Sequence, residues 1–221
     1  MAKMFQFLVD HAPAFLRGLG VTAALLFIGV AAGTVLGVAL SFATRNSGRS
    51  KQFLDAIALA VAATPALVVL FWLHYPAQQL AGVVIAPFWT ASLCLVLLQG
   101  FAVYRIAADS ISTLPKQYLL AAQVCGLDAR TTFWRIEAPI LLRNALPRWL
   151  DQAVVILHTT LFASLISVDE TFRVAQRVNA REYHPVAIYS IVALLFVITA
   201  GPLMILSKRM QRSVFRDESE R

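Results

Sequence analysis

Residues 56–104 read AIALAVAATPALVVLFWLHYPAQQLAGVVIAPFWTASLCLVLLQGFAVY, forty-nine positions between Asp55 and Arg105 without one Asp, Glu, Lys or Arg. A chain folded in water rarely sustains such a run, because a folded surface needs charge to stay dissolved. This stretch belongs in a bilayer. A hydrocarbon core about 30 Å thick takes roughly 20 helical residues to cross. The run is therefore long enough for two spans and a connection, which the sequence places at His74-Tyr75-Pro76.

Working outward, three more windows qualify. Residues 18–44 lie charge-free between Arg17 and Arg45, 152–168 between Asp151 and Asp169, and 183–207 between Glu182 and Lys208. The reading is five spans, at about 18–43, 56–74, 84–105, 152–168 and 184–207. Lipid cannot satisfy a bare backbone amide, and these are continuous apolar runs rather than the alternation of a barrel strand. The expected fold class is all-α, a polytopic membrane protein forming one domain over 1–221.

Basic residues orient the bundle. Arg45, Arg49 and Lys51 follow the first span; Lys116, Arg130, Arg135, Arg143 and Arg148 follow the third; Lys208, Arg209, Arg212, Arg216 and Arg221 follow the fifth. The opposite side holds only Lys3, Arg17, Arg173, Arg177 and Arg181. By the positive-inside rule the amino terminus is expected outside and the carboxyl terminus in the cytoplasm. The short apolar stretch before Asp10 is too brief for a cleavable signal, so the first span is expected to remain in the mature protein.

A net charge of +7 is what a positive-inside membrane protein accumulates, so no nucleic-acid partner is expected. Cys94 falls within a span and Cys125 in a cytoplasmic segment, which argues against a disulfide and for packing roles. No Ser/Gly-rich linker, repeat or appended soluble domain is visible, so whatever energises the protein is expected on another chain.

Gly29, Gly33 and Gly37 recur four apart in the first span, with Ala32 and Ala39 nearby, a row of small residues that lets another helix approach closely. That helix can belong to the same chain or to another subunit. Pro65 and Pro202 each remove a backbone donor and are expected to bend their helices, with Thr64 able to rebond a freed carbonyl.

The connection of about 109–150 is too long for a turn and strongly patterned. Thr113 can cap a short helix with Pro115 in its first turn; Gln117 to Cys125 continues it, and Gly126 suits the left-handed stop. Asp128 can cap the next helix, carrying Phe133, Trp134 and Ile136, before breaks at Pro139 and Pro147. Such a helix-Gly-helix segment is either an interfacial amphipathic hairpin or a docking surface for a soluble partner.

Read as Leu120-Ala121-Ala122, Gly126 and Ile136-Glu137-Ala138-Pro139, the segment resembles the Glu-Ala-Ala, Gly, Ile-x-Leu-Pro signature of permease subunits in bacterial ABC importers. Thr64-Pro65 and Pro115-Lys116 make it most similar to the polar amino acid permeases, the histidine and glutamine permease type, over about 15–215. The resemblance implies a multi-pass protein of the bacterial inner membrane that is not itself an enzyme. Its implied partners are a second permease chain, two cytoplasmic ATPases, an extracytoplasmic binding protein and the surrounding lipid. The ATPases would meet Gln117, Tyr118, Leu120, Ala121, Ala122, Gly126, Leu127 and Asp128. This chain has no Gly-x-x-x-x-Gly-Lys-Ser/Thr loop, so ATP and Mg are expected on the ATPase and no cofactor on this chain.

Three departures stand out. Leu120 replaces the signature glutamate, Glu137-Ala138 replaces an apolar residue and leucine, and Ala62-Ala63 replaces Arg-Gly before Thr-Pro. Asp128 or Glu137 can substitute for the missing carboxylate. A degenerate signature suits pairing with a different second permease, so a heteromer is slightly favoured over a homodimer.

Where members of that family often carry Lys-Asp-Thr in the fourth span, this chain has His158-Thr159-Thr160, and these are candidate solute contacts. Helix-helix hydrogen bonding is the alternative role. Arg105 stands where relatives often have glutamate, so facing a cavity it would favour an anionic group, and near a span end it can instead snorkel to the interface. Tyr104 and Gln99 on the same span are further candidates. Arg173, Arg177 and Arg181 recur every four residues as a stripe that can meet a binding protein or solvent and lipid headgroups. A secondary transporter or channel is the competing class, but it usually shows inverted repeats or embedded carboxylates, which are not visible here.

Overall fold

The computed structural model describes residues 2–44, 48–112 and 116–219, with side chains given for most of them. Thr113 and Pro115, the expected cap and first turn, lie outside the described residues, as do Arg45 and Arg221 from the charge reading. The regular elements among the described residues are all helices, without strands: α1 Ala2–Thr44, α2 Gly48–Ala63, α3 Ala66–His74, α4 Pro76–Ala81, α5 Pro87–Ser112, α6 Lys116–Val124, α7 Ala129–Thr132, α8 Ala138–Thr159, α9 Thr171–Glu182 and α10 Pro185–Ser219. A π-helical turn, Phe133–Glu137, leads into α8, and a 3-10 segment, Thr160–Ile166, follows it.

Four helical stretches are long and apolar enough to cross a membrane: His11–Thr44, Pro87–Ile111, Ala129–Ile166 and Pro185–Arg212. The fifth candidate is broken. Gly48–Ala63 and Ala66–Ala81 meet at 102°. The break falls at Thr64-Pro65, where Pro65 is extended (φ −56, ψ 134) and Thr64 Oγ1 donates to the Ala60 carbonyl at 2.8 Å. The expected bend is therefore a sharp corner. Pro202, by contrast, lies inside α10 without ending it.

Other expectations need correction. The connection expected at His74-Tyr75-Pro76 is a single right-handed residue, Tyr75, joining α3 to α4; helix resumes at Pro87 only after Gly82 has ended α4 in the left-handed region. The segment expected to be a loop up to about residue 150 ends near 137, because α8 begins at Ala138 and carries straight into the fourth span. Pro139 sits in its first turn, and Pro147 lies inside the helix; neither breaks it. There Ser207 Oγ of α10 donates to the Pro147 carbonyl at 3.0 Å.

The glycine ridge packs within the chain, against α5. A Cβ at Gly33 would lie 2.5 Å from Gln99 Cβ, and one at Gly37 would lie 2.5 Å from the Gly100 carbonyl oxygen. Only glycine permits this approach. One core gathers Leu25, Leu70, Cys94, Leu95, Ile156 and Ile166, and a second joins Phe15 to Val174, Val178, Ile188 and Val192. Cys94 packs as expected, whereas Cys125 is exposed just past the end of α6.

Candidate functional site

The α5 residues Leu98, Phe101, Ala102, Arg105, Ile106 and Asp109 recur at helical spacing and form one stripe. On α8, Gln152, Val155, Ile156 and Thr159 do the same. Between the stripes opens a groove of about 550 Å³, lined also by Ala58, Val61 and Ala62 of α2 and by the Thr64-Pro65-Ala66 corner. The break at Pro65 thus contributes directly to the groove wall.

The sequence candidates separate here. Arg105 and Thr159 line the groove, and Thr159 Oγ1 donates to the Val155 carbonyl at 2.7 Å. Thr160 is fully buried and donates to the Leu157 carbonyl at 2.7 Å. His158 is on the face toward α10, its ring 6.2 Å from that of Phe196. Tyr104 is buried and donates its hydroxyl to Asp55 at 2.7 Å, tying α5 to α2. Gln99 is also fully buried, pressed on Gly33, with neither side-chain polar atom bonded. Thr64, Asp109 and Gln152 were not among the solute candidates read from sequence, although the i, i+3, i+4, i+7 rows through Arg105 and Thr159 contain two of them. Asp109 forms an ion pair of 3.6 Å with Arg148, one turn below Gln152 on α8.

The second candidate surface is α6 and its turn. Leu127 N–H donates to the Ala122 carbonyl and Gly126 N–H to the Gln123 carbonyl, each at 3.0 Å, with Gly126 at φ 70. These two bonds make a Schellman stop. Ala122 is buried, Tyr118 and Leu119 half-buried, and Gln117, Ala121 and Asp128 exposed. The helix presents Leu120 at 61% and Val124 at 89% exposure, beside Leu127, an apolar face left uncovered by the described residues. Asp128 occupies the N-cap of α7, and a hydrogen bond from the Thr131 side chain holds its carboxyl below the ordinary value. The π-helical turn then anchors this unit to α1 through a Phe133–Phe42 edge contact, with ring centroids 6.2 Å apart.

The arginine stripe on α9 is partly spent on its own chain. Arg173 and Arg177 both approach Asp169, at 3.4 and 3.0 Å, and Arg173 also donates to the Ser164 carbonyl at 2.8 Å. Arg181 is exposed a turn further on. Glu170 caps the helix, accepting from the Phe172 and Arg173 amides at 2.8 Å each; burial pushes its carboxyl up to about 7.

Residues 29–216 match the family described as binding-protein-dependent transport system inner membrane component. The chain belongs to that family. This permease is thus a multi-pass inner-membrane component of an ABC importer rather than an enzyme. It is 25% identical to the nopaline transport system permease protein NocM of Agrobacterium fabrum, over 87% of this chain and 84% of that one. It is 28% identical to the octopine transport system permease protein OccM of Rhizobium meliloti, over 83% and 79%. Its fold matches a solved amino acid ABC transporter determined with histidines, at a TM-score of 0.84 and 21% identity, covering 95% of this chain and 98% of that one.

Proposed function

We propose that this permease pairs with a second permease chain to frame an alternating-access pathway for a polar amino acid or related small solute. An extracytoplasmic binding protein delivers the solute, and two cytoplasmic ATPase subunits, which hold ATP and Mg, drive the cycle. The groove between α2, α5 and α8 carries this reading: it is open, mostly apolar, and set with a few polar groups, the composition of a small-solute site. The family match and the names of the transport systems of the relatives support the solute class.

Of the sequence candidates, Arg105 and Thr159 are the solute contacts, while Tyr104 ties α5 to α2, Gln99 packs on Gly33 of α1, Thr160 is buried and bonded within its own helical stretch, and His158 meets α10. The exposed apolar face of Leu120, Val124 and Leu127 is where the ATPase seats. That contact is hydrophobic where relatives place a carboxylate, which favours a heteromeric pair over two copies of this chain. On the other side, Arg181 with the outer edge of α9 meets the binding protein. Nucleotide and loaded binding protein each bias two packings of similar energy.

The test is reconstitution of the permease with and without its ATPase subunits in vesicles loaded with ATP. Amino acid accumulation is expected only when the ATPase is present. Equal accumulation without it overturns the reading in favour of a secondary transporter.

A further inference from the structure

The groove holds two charged side chains, Arg105 and Asp109, one helical turn apart on α5. Its other lining residues are apolar, hydroxyl or amide. Asp109 is bridged by Arg148 at 3.6 Å. Arg105 has no ion-pair or hydrogen-bond partner among the described residues and is exposed to the groove. The other carboxylates near these helices are held elsewhere: Asp55 accepts from the Tyr104 hydroxyl at 2.7 Å, and Asp151 accepts from Gln211 of α10 at 2.8 Å. The groove lining therefore holds one guanidinium without a partner among the described residues, Arg105, and one carboxylate already bridged, Asp109.

We propose that Arg105 is a specificity-determining residue that takes a carboxylate of the transported solute, so that this permease selects amino acids with neutral or acidic side chains over basic ones. The proposal rests on the transport reading above. A guanidinium is more weakly hydrated than an ammonium and offers two parallel N–H donors, the geometry that matches a carboxylate, and this one stands beside Phe101, Ala102 and Ile106. A solute bearing a second positive charge would meet the Arg105 guanidinium and find the carboxylate of the groove already bridged. The apolar walls of Leu98, Val155 and Ile156 accept the remainder of an uncharged side chain.

The experiment measures ATP-driven initial uptake of labelled L-glutamate, L-glutamine and L-arginine by the complete transporter. The best of these is then followed in Arg105→Ala, Arg105→Lys and Arg105→Glu, with basal ATP hydrolysis and copurification of the subunits as controls. Glutamate or glutamine is expected to exceed arginine. Arg105→Ala should lower uptake at least tenfold while the subunits still copurify, Arg105→Lys should recover part of it, and Arg105→Glu should shift preference toward arginine. Preference for arginine by the native chain overturns the proposal, as does uptake within twofold of native in Arg105→Ala. Loss of subunit copurification in Arg105→Ala also overturns it, assigning the residue to an interface. ATP-independent uptake, or none of the three solutes, sinks the transport reading itself.

Discussion

Gly37 is the position at which one methyl group decides how α1 meets α5. A Cβ there would lie 2.5 Å from the Gly100 carbonyl oxygen, 2.6 Å from Val103 Cβ and 2.9 Å from Tyr104 N. Two of those atoms are backbone and cannot rotate away. Gly37→Leu is therefore expected to separate the helices and lower stability by about 3 kcal/mol or more, at the upper end of overpacking. Gly201 on α10 is the control, because nothing lies within 4 Å of a Cβ built there. Gly201→Ala should leave stability unchanged or raise it by about 0.5–1 kcal/mol, through the lower entropy of the unfolded chain. Thermal unfolding in detergent, followed by thiol accessibility of the buried Cys94, reads both variants. Equal melting temperatures for the two would mean that α1 and α5 do not depend on the close approach. Gln99 sits on the same contact, and its unbonded amide shows why the sequence misled there. A polar residue in a span suggests a cavity, but this one was turned toward Gly33 by the close packing the glycines allow.

At the scale of elements, the parts read correctly from sequence are those fixed by local chemistry. Gly126 after an apolar run announced a left-handed stop, and the stop is there at φ 70 because no other residue reaches that conformation as cheaply. The small-residue row announced close packing for the same kind of reason. Prolines were less legible. Pro65 produces a 102° corner, Pro147 and Pro202 lie inside continuous helices, and all three remove the same donor. Pro147 is buried and fastened to α10 through Ser207, a tertiary contact invisible in a single sequence, but Pro65 and Pro202 are both exposed, so exposure alone does not separate a corner from a continuous helix. Likewise the six solute candidates share two helices but not one face, and only Arg105 and Thr159 fall on the stripes that meet across the groove. The stop after α6 also carries a consequence for coupling. Proline cannot adopt φ 70 and has no N–H for the Gln123 carbonyl, so Gly126→Pro should disorganise the turn while leaving the spans inserted. ATP-driven uptake is expected to fall at least tenfold with the protein level in the membrane unchanged. Gly126→Ala, which costs about 1–2 kcal/mol at this backbone conformation, should fall between the two. Full uptake by Gly126→Pro would detach the turn from coupling.

For the whole molecule, the arrangement of α6 and the groove matters only if the membrane places them correctly, and the two cysteines provide a direct measure. Cys125 is exposed at the end of α6, next to the Schellman turn, while Cys94 is buried in the core shared by α1, α3, α5 and α8. The basic residues Arg130, Arg135, Arg143 and Arg148 follow Cys125 closely, and Lys208, Arg209 and Arg212 lie toward the far end of α10. Their attraction to the cytoplasmic side predicts that α6 and the carboxyl terminus face inward together. A membrane-impermeant maleimide added to intact cells should therefore leave Cys125 unlabelled, and the same reagent should label it fully in inverted membranes. Cys94 should stay unlabelled in both until the protein is denatured. With five crossings the amino terminus then lies outside, and the broken α2–α3 segment has to count as a crossing for the arithmetic to close. A cysteine introduced at Ala2 separates the possibilities. Labelling of that position from outside, with Cys125 protected, requires an odd number of crossings and makes the 102° corner part of a true span. Labelling of neither from outside would make the number even and the corner a re-entrant loop, and labelling of Cys125 from outside would invert the bundle and remove α6 from reach of any cytoplasmic motor.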